Sequence, residues 1–133
     1  LLDKAPSELV VANRTVEKAV AMIDKVSSDY SMVGLAPSTY ESLSQPFDVV
    51  INATSTGLNK TSLPIADIIF AESCLAYDMM YGRETPFMKQ ARTNNASVAG
   101  GLGMLVEQAA EAFTLWRGVR PNSKAFIDQM SVV

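Results

Sequence analysis

The stretch FDVVINA, from Phe47 to Ala53, limits the possible folds more than any other part of this sequence. Its apolar residues are too continuous for a half-exposed strand, in which polar and apolar residues would alternate. Such a run is typical of a parallel strand that is covered on both faces. We therefore expect this segment to be a buried strand of a parallel sheet.

Other strands and helices alternate along the chain, which indicates an α/β fold with a mainly parallel sheet. The strongest helical pattern follows Gly101, and its apolar residues predict one buried face that ends near Gly118 and Pro121. That face is formed by Leu102, Leu105, Val106, Ala109, Phe113 and Trp116. The other expected strands are Glu8–Ala12, Met32–Leu35, Cys74–Met79 and Ser97–Ala99, and the other expected helices cover residues 16–26, 85–94 and 126–130.

Composition excludes several classes of protein. The 133 residues suffice for one compact unit, and the net charge of −3 argues against a broad nucleic-acid-binding face. The chain contains no histidine and one cysteine, Cys74, so we expect no disulfide, no Ser-His-Asp triad and no metal site. Any anion-binding site must be local.

The sequence gives no sign of secretion or membrane insertion. Asn-x-Ser/Thr triplets occur at Asn13, Asn52, Asn59 and Asn95, but the first residues show no basic region followed by an apolar one. We interpret the triplets as coincidental. We expect a cytoplasmic protein without a membrane segment.

Ligands of parallel sheets bind at the carboxyl ends of the strands, where this sequence places a basic triplet. The first strand ends on Asn13, Arg14 and Thr15. A carboxylate at this point of a dinucleotide-binding fold binds the ribose hydroxyls of NAD, whereas an Arg pairs with the 2′-phosphate of NADP. The triplet favours NADP, although Arg14 taken alone could equally be a solvated residue.

Three further strand ends carry polar, glycine-rich or sulfur-containing motifs: NATSTG, YDMMYG and AGGLGM. The first can turn tightly near a ligand, and the second offers a thioether to a flat ring and a phenol to a polar substrate. Each motif alone is also compatible with ordinary loops, core methionines and a surface tyrosine.

Taken together and in this order, the motifs resemble one family. VVANRT, DVVINATSTG, YDMMYGRETPF and GGLGMLVEQAAEAFTLWRGVRP are similar to the cofactor-binding half of NADP-dependent shikimate dehydrogenases, from Leu9 to about Pro121. The resemblance implies a Rossmann-like three-layer α/β/α domain over residues 1–133. It also implies reversible reduction of 3-dehydroshikimate to shikimate with NADPH in aromatic amino-acid biosynthesis.

The resemblance assigns expected roles to individual residues. Asn13, Arg14, Thr15 and Lys18 match contacts to the 2′-phosphate, and the loop at Ala53, Thr54 and Ser55 matches the adenine-ribose side. Positions near the nicotinamide are matched by Met79, Gly101, Met104 and Leu105, and positions that contact the substrate by Tyr81 and Gln108.

The resemblance also implies parts that this chain does not contain. Family members have an N-terminal substrate domain with a catalytic Lys and Asp, then a first strand and a glycine-rich turn, so no catalytic residue is assigned here. We expect the chain alone to be inactive, to bind NADP weakly, and to self-associate through exposed strand edges. The alternatives are a quinate/shikimate dehydrogenase, which can prefer NAD, and a non-catalytic nucleotide-binding module.

Overall fold

The computed structural model describes residues 1–56 and 61–130; Gly57 of the NATSTG motif and Asn59 lie outside the described residues. The strands are β1 (Glu8–Ala12), β2 (Gly34–Ser38), β3 (Phe47–Asn52), β4 (Phe70–Asp78) and β5 (Ser97–Gly100). The helices are α1 (Val16–Asp24), α2 (Pro86–Thr93), α3 (Leu102–Arg117) and α4 (Ser123–Met130). Helices separate β1 from β2 and β4 from β5, whereas β2, β3 and β4 follow one another without an α-helix in the described residues; short 3₁₀ turns lie at Leu2–Lys4 and Asp67–Ile69.

The strands form two parallel sheets, which confirms the expected α/β class and the parallel pairing. β1 pairs with β2 in one sheet, and β4 lies between β3 and β5 in the other. The chain divides into two compact units, of which unit 1 comprises residues 1–46 and 63–69 and unit 2 comprises residues 47–62 and 70–133. Each unit contains one of the sheets.

Unit 1 consists of β1, β2 and the helix that joins them. Ala19 and Ile23 of α1 are buried, as the apolar periodicity of this helix predicted. The Tyr30 hydroxyl donates a 2.6 Å hydrogen bond to Oδ1 of Asp3, which ties the first residues of the chain to the segment before β2. This bond to a carboxylate raises the pKa of Tyr30.

Unit 2 packs α2 against one face of its sheet. Cys74, Ala76 and Asp78 alternate along β4 and are fully buried, as expected for residues that share one face of a strand. Phe87 lies against Phe70, with ring centroids 6.0 Å apart. These side chains form the core of unit 2.

The opposite face of this sheet contradicts the expectation that β3 is covered on both sides. Val49 and Ile51 are 51% and 40% exposed, and Leu75, which pairs with Val49, is 40% exposed. The apolar run does form a parallel strand, but the described residues bury only its other face. The composition of the run therefore predicted the pairing correctly and the burial wrongly.

Helix boundaries agree with the predictions within a few residues, whereas two strands are displaced. Thr85 caps α2 by accepting a 3.2 Å hydrogen bond from the Met88 amide, and Gly118 ends α3 with a φ of 70°. β2 begins two residues later than predicted, at Gly34. β4 begins at Phe70, where the sequence predicted a strand only from Cys74.

The predicted buried face of α3 is the main error in the expected fold. Ala110 is the buried residue of this helix, whereas Trp116 is 80% exposed and Phe113 is 44% exposed. Four residues of the apolar stripe instead line an open groove with α4, whose Phe126 is also exposed; the four are Leu105, Val106, Ala109 and Phe113. The periodicity identified the stripe, but burial also requires a surface to pack against, and α4 supplies only part of one.

No helix among residues 1–56 and 61–130 is both long enough and apolar enough to cross a membrane.

Candidate functional site

The connection between β1 and α1 presents the basic triplet of unit 1. Asn13 continues the ladder by donating its amide to the Ser38 carbonyl at 3.1 Å. Its Oδ1 then accepts a 2.9 Å hydrogen bond from the Thr15 amide, which forms a tight Asn turn. Arg14 is held at the tip of this turn, and its side chain is exposed.

Two cations lie in this turn and the first helical turn without an acidic partner. Within the part of the chain that the structure describes, neither Arg14 nor Lys18 takes part in an ion pair. Thr15 occupies the N-cap of α1, but its side chain makes no capping hydrogen bond. The two cations, the Thr15 hydroxyl and the amides of the helix start are suited to a small dianion, although Glu17 adds one exposed carboxylate nearby.

The carboxyl ends of the three strands of unit 2 lie in register. Asn52, Asp78 and Gly100 occupy paired positions at the ends of β3, β4 and β5. The segments that follow these strands therefore begin at one edge of the sheet. These segments contain every residue of unit 2 for which the sequence analysis predicted a binding role.

The loop after β3 is held by Asn52, which is buried. Its Oδ1 accepts hydrogen bonds from the Thr54 amide at 3.1 Å and from the Thr54 hydroxyl at 2.8 Å. The Thr54 hydroxyl hydrogen is thereby used inside the loop, where its oxygen also contacts the Thr56 hydroxyl at 2.7 Å. Ala53 and Ser55 are exposed and remain open to a ligand.

The segment after β4 exposes the residues that the sequence singled out. Met79 is 39% exposed and Tyr81 is 48% exposed, while Met80 is half-buried. The Met79 amide donates to the Asn52 carbonyl at 3.0 Å, so this segment remains attached to the end of β3. The alternative interpretation of Met79 as a core residue is therefore wrong.

The start of α3 lies directly against the segment after β4. The Gly101 amide donates a 2.9 Å hydrogen bond to the Met80 carbonyl. A Cβ atom on Gly101 would lie 2.1 Å from the Met79 carbonyl oxygen, so only glycine fits here without displacement. The structure thus brings Met79 and Gly101 together, as expected for two residues assigned to the nicotinamide.

The remaining predicted residues lie on the first turns of α3. Met104 and Leu105 are half-buried, and Gln108 is exposed one turn after Met104. Gln108 is therefore accessible to a ligand, which is a requirement of the role that the resemblance gives it.

Asp78 is a buried polar residue at this edge that the sequence analysis did not single out. It lies at the end of the apolar run CLAYDM and is fully buried. A charged residue at the end of this apolar run was the available signal, because such a residue is rarely buried without partners.

The described residues offer neither a metal centre nor an activated thiol. No group of three or more His, Cys, Asp or Glu residues in these parts of the chain could hold a metal ion. Burial raises the pKa of the Cys74 thiol, which disfavours the reactive thiolate.

Comparison with known proteins shows which proteins this chain is similar to. The family model described as "Shikimate 5'-dehydrogenase C-terminal domain" matches residues 101–130. The shikimate dehydrogenase (NADP(+)) of Methylobacillus flagellatus is 55% identical over 125 residues, which cover 92% of this chain and 46% of that protein. The chain is homologous to the C-terminal half of shikimate dehydrogenases.

Solved structures with similar folds include a shikimate dehydrogenase. An Ael1 enzyme from Pseudomonas putida has a TM-score of 0.85 and 47% identity over 96% of this chain and 47% of its own. A shikimate dehydrogenase solved in complex with NADP+ has a TM-score of 0.77 and 32% identity over 91% of this chain and 45% of its own. These neighbours confirm the predicted Rossmann-like fold. The chain spans about half the length of the shikimate dehydrogenases that it matches.

Proposed function

We propose that the protein containing this chain is an NADP-dependent shikimate dehydrogenase, and that residues 1–133 form part of its NADP-binding domain. Arg14 and Lys18 lie at the start of α1 and form no ion pair with residues 1–56 or 61–130, and this observation supports the choice of cofactor. Shikimate as substrate is taken from the names of the homologues, and 3-dehydroshikimate is the oxidised partner that the family resemblance implies. The enzyme would act in the cytoplasm, in aromatic amino-acid biosynthesis.

The residues of unit 1 fit the 2′-phosphate of NADP. Arg14 can present two N–H donors to a phosphate, and Lys18 can add a second positive charge one turn along the helix. Asn13 and Thr15 complete the proposed contacts. An acidic residue at position 14 would instead repel the phosphate and favour NAD.

The residues of unit 2 fit the remaining proposed contacts. Ala53, Thr54 and Ser55 would lie beside the adenine ribose, with Thr54 contributing through its backbone carbonyl because its amide and hydroxyl hydrogens are both donated to Asn52. The nicotinamide would contact Met79, Gly101, Met104 and Leu105. Tyr81 and Gln108, both exposed, would hydrogen-bond the substrate.

The bound cofactor would supply hydride transfer between the nicotinamide and the substrate carbon. The described residues would bind and orient the two reactants, since nothing in this chain is assigned the proton-transfer step. The resemblance attributes that step to a Lys and an Asp of the other domain. We accordingly expect the chain alone to show no turnover with shikimate and NADP+, as measured by the absorbance of NADPH.

Binding of 2′,5′-ADP, which contains the 2′-phosphate, tests the proposed role of Arg14 without requiring activity. We expect Arg14→Ala to weaken this binding by about tenfold or more and to leave 5′-AMP binding unchanged, as measured by calorimetry on the full-length protein. Lys25→Ala is the matched control, because it removes an equal charge just after the other end of α1. Equal losses in the two variants would contradict the proposal.

A quinate/shikimate dehydrogenase that prefers NAD is the second candidate. Arg14 argues against it, and the ratio of kcat/KM for NADP+ and NAD+ in the full-length protein distinguishes the two. A non-catalytic binding module would bind NADP+ and reduce none of it with either substrate.

A further inference from the structure

Asp78 is a buried carboxylate that the proposed binding roles leave unused. Its side chain is fully buried at the end of β4. Oδ2 accepts hydrogen bonds from the Asn52 amide group at 3.1 Å and from the Thr85 hydroxyl at 2.6 Å. Oδ1 accepts a 2.9 Å hydrogen bond from the Met80 backbone amide.

The three donors belong to three different parts of unit 2. Asn52 ends β3, Thr85 is the N-cap of α2, and Met80 lies in the segment between β4 and α2. A side chain can accept these three hydrogen bonds only if both of its terminal atoms are acceptors, because all three partners donate a hydrogen to it. Replacing either oxygen with a donor leaves one buried partner unpaired.

The hydrogen bonds continue from Asp78 into both candidate loops. Asn52, which donates to Asp78, also accepts the two hydrogen bonds that fold the loop at Thr54. Met80, which donates to Asp78 through its amide, accepts through its carbonyl the amide of Gly101. One carboxylate is therefore connected to the loop after β3, the segment after β4 and the start of α3.

We propose that Asp78 is a positioning residue for the reaction, which holds the segment carrying Met79 and Tyr81 in its binding geometry. This inference rests on the proposed function, because it assumes that these two residues contact nicotinamide and substrate. Asp78 itself is fully buried and acts through Met80 and Asn52. Its removal therefore affects the orientation of the reactants more than the attachment of the 2′-phosphate in unit 1.

Asp78→Asn in the full-length protein is the principal test. The amide keeps the side-chain volume but places a donor against either Met80 or the pair formed by Asn52 and Thr85. We expect kcat to fall by about tenfold to a hundredfold, since small displacements of reacting groups have effects of this size, while the KM for NADP+ changes by less than about threefold.

Thr85→Val is the reference for a purely structural loss. It removes one donor to Asp78 and the cap of α2, yet it leaves the bond between Met80 and Asp78 in place. We expect both variants to lower the melting temperature and only Asp78→Asn to lower kcat by tenfold. Equal kcat losses at equal loss of stability would overturn the proposal.

A double variant, Asn52→Asp with Asp78→Asn, tests the connection by exchanging the two groups. The carboxylate introduced at position 52 can accept both bonds from Thr54 and one from the amide at position 78, whose oxygen again accepts from Met80. We expect the exchange to recover most of the kcat lost by Asp78→Asn, but not the stability lost at Thr85. Failure to recover kcat would count against the proposal.

Hydrogen exchange without ligands separates this inference from the proposed function. In Asp78→Asn the Met80 amide should exchange at least about tenfold faster, while the Tyr77 amide within β4 is unaffected. Unchanged exchange at Met80 overturns the positioning role whatever the activity. A full-length protein that does not reduce NADP+ with shikimate overturns the proposed function, and the exchange result then decides alone whether Asp78 holds this segment.

Discussion

At the scale of single residues, two of the three glycines in the motif AGGLGM, Gly101 and Gly103, differ in the space that surrounds them. Gly101 approaches the Met79 carbonyl too closely for any side chain, whereas a Cβ on Gly103 would meet nothing within 4 Å. The sequence showed the cluster AGGLGM but could not distinguish its members, because Met79 is about twenty residues away along the chain. The same limit applies to the bond between Asp78 and Asn52, which are 26 residues apart along the chain. Arg14 was singled out from local sequence, because it directly follows a predicted strand, whereas Lys18 was singled out only through the resemblance.

Alanine substitutions at these two glycines should have opposite effects on stability. We expect Gly101→Ala to lower the free energy of unfolding by about 1–3 kcal/mol, because the added methyl forces Met79 away from α3. Gly103→Ala should raise it by about 0.5–1 kcal/mol, because alanine loses less backbone entropy than glycine in a helix. Urea unfolding of the two variants measures the difference. A Gly101→Ala variant as stable as the parent would show that the close contact is relieved at no cost.

At the scale of elements, helix ends were predictable and buried faces were not. Thr85 with Pro86 begins α2 and Gly118 ends α3 through contacts within a few residues, so the sequence contains the whole signal. Which face of α3 is buried depends on what packs against it. The sequence analysis also missed the tether between α3 and the start of α4, whose partners are 9 to 16 residues apart along the chain. Arg120, in the connection between the helices, binds Glu107 and Glu111 of α3 at 2.6 and 2.5 Å, and Ser123 of α4 hydrogen-bonds Glu107.

The tether predicts a pH dependence of stability. Ser123 donates a 2.6 Å hydrogen bond to Glu107, and this bond, with the Arg120 charge, lowers the pKa of Glu107 below its ordinary 4.5. A lowered folded-state pKa stabilises the protein above the unfolded pKa, and the contribution is lost as the pH falls through the folded value. We therefore expect Glu107→Gln to lower the melting temperature near neutral pH. At a pH below the folded-state pKa of Glu107, the variant and the parent should have the same melting temperature.

Thermal unfolding over a pH series measures this effect. Glu41→Gln is the control, because it removes an equal charge from an exposed turn. A gap between parent and Glu107→Gln that stays constant down to the most acidic condition would contradict the proposed tether.

At the scale of the whole molecule, the sheet of unit 2 has one face covered by α2 and an apolar patch on the other. Val49, Ile51 and Leu75, which form this patch, are each at least 40% exposed. Among the described strands, β3 also pairs along one edge only. Exposed apolar strands of this kind favour association with another chain, so we expect a second copy to cover the patch when the chain is studied alone.

Sedimentation velocity tests this association. We expect the chain to form dimers or larger species with rising concentration, and Val49→Lys to shift it toward monomer. Met32→Lys provides the comparison, because it exchanges an equally apolar residue, 95% exposed in a turn, for the same charge. A chain that remains monomeric at its highest soluble concentration would refute the expectation.

The parallel pairing of every described strand also determines how this chain can fold. Each pair joins segments between about twenty and thirty residues apart, so none can form as a local hairpin. Each loop must close, at a cost in chain entropy, before the strand pairing contributes to stability. We therefore expect the refolding rate to lie in the slower range for a domain of this size. During synthesis, β1 and β2 precede β3, so these two strands can pair first, while one edge of β4 stays unpaired until β5 is made.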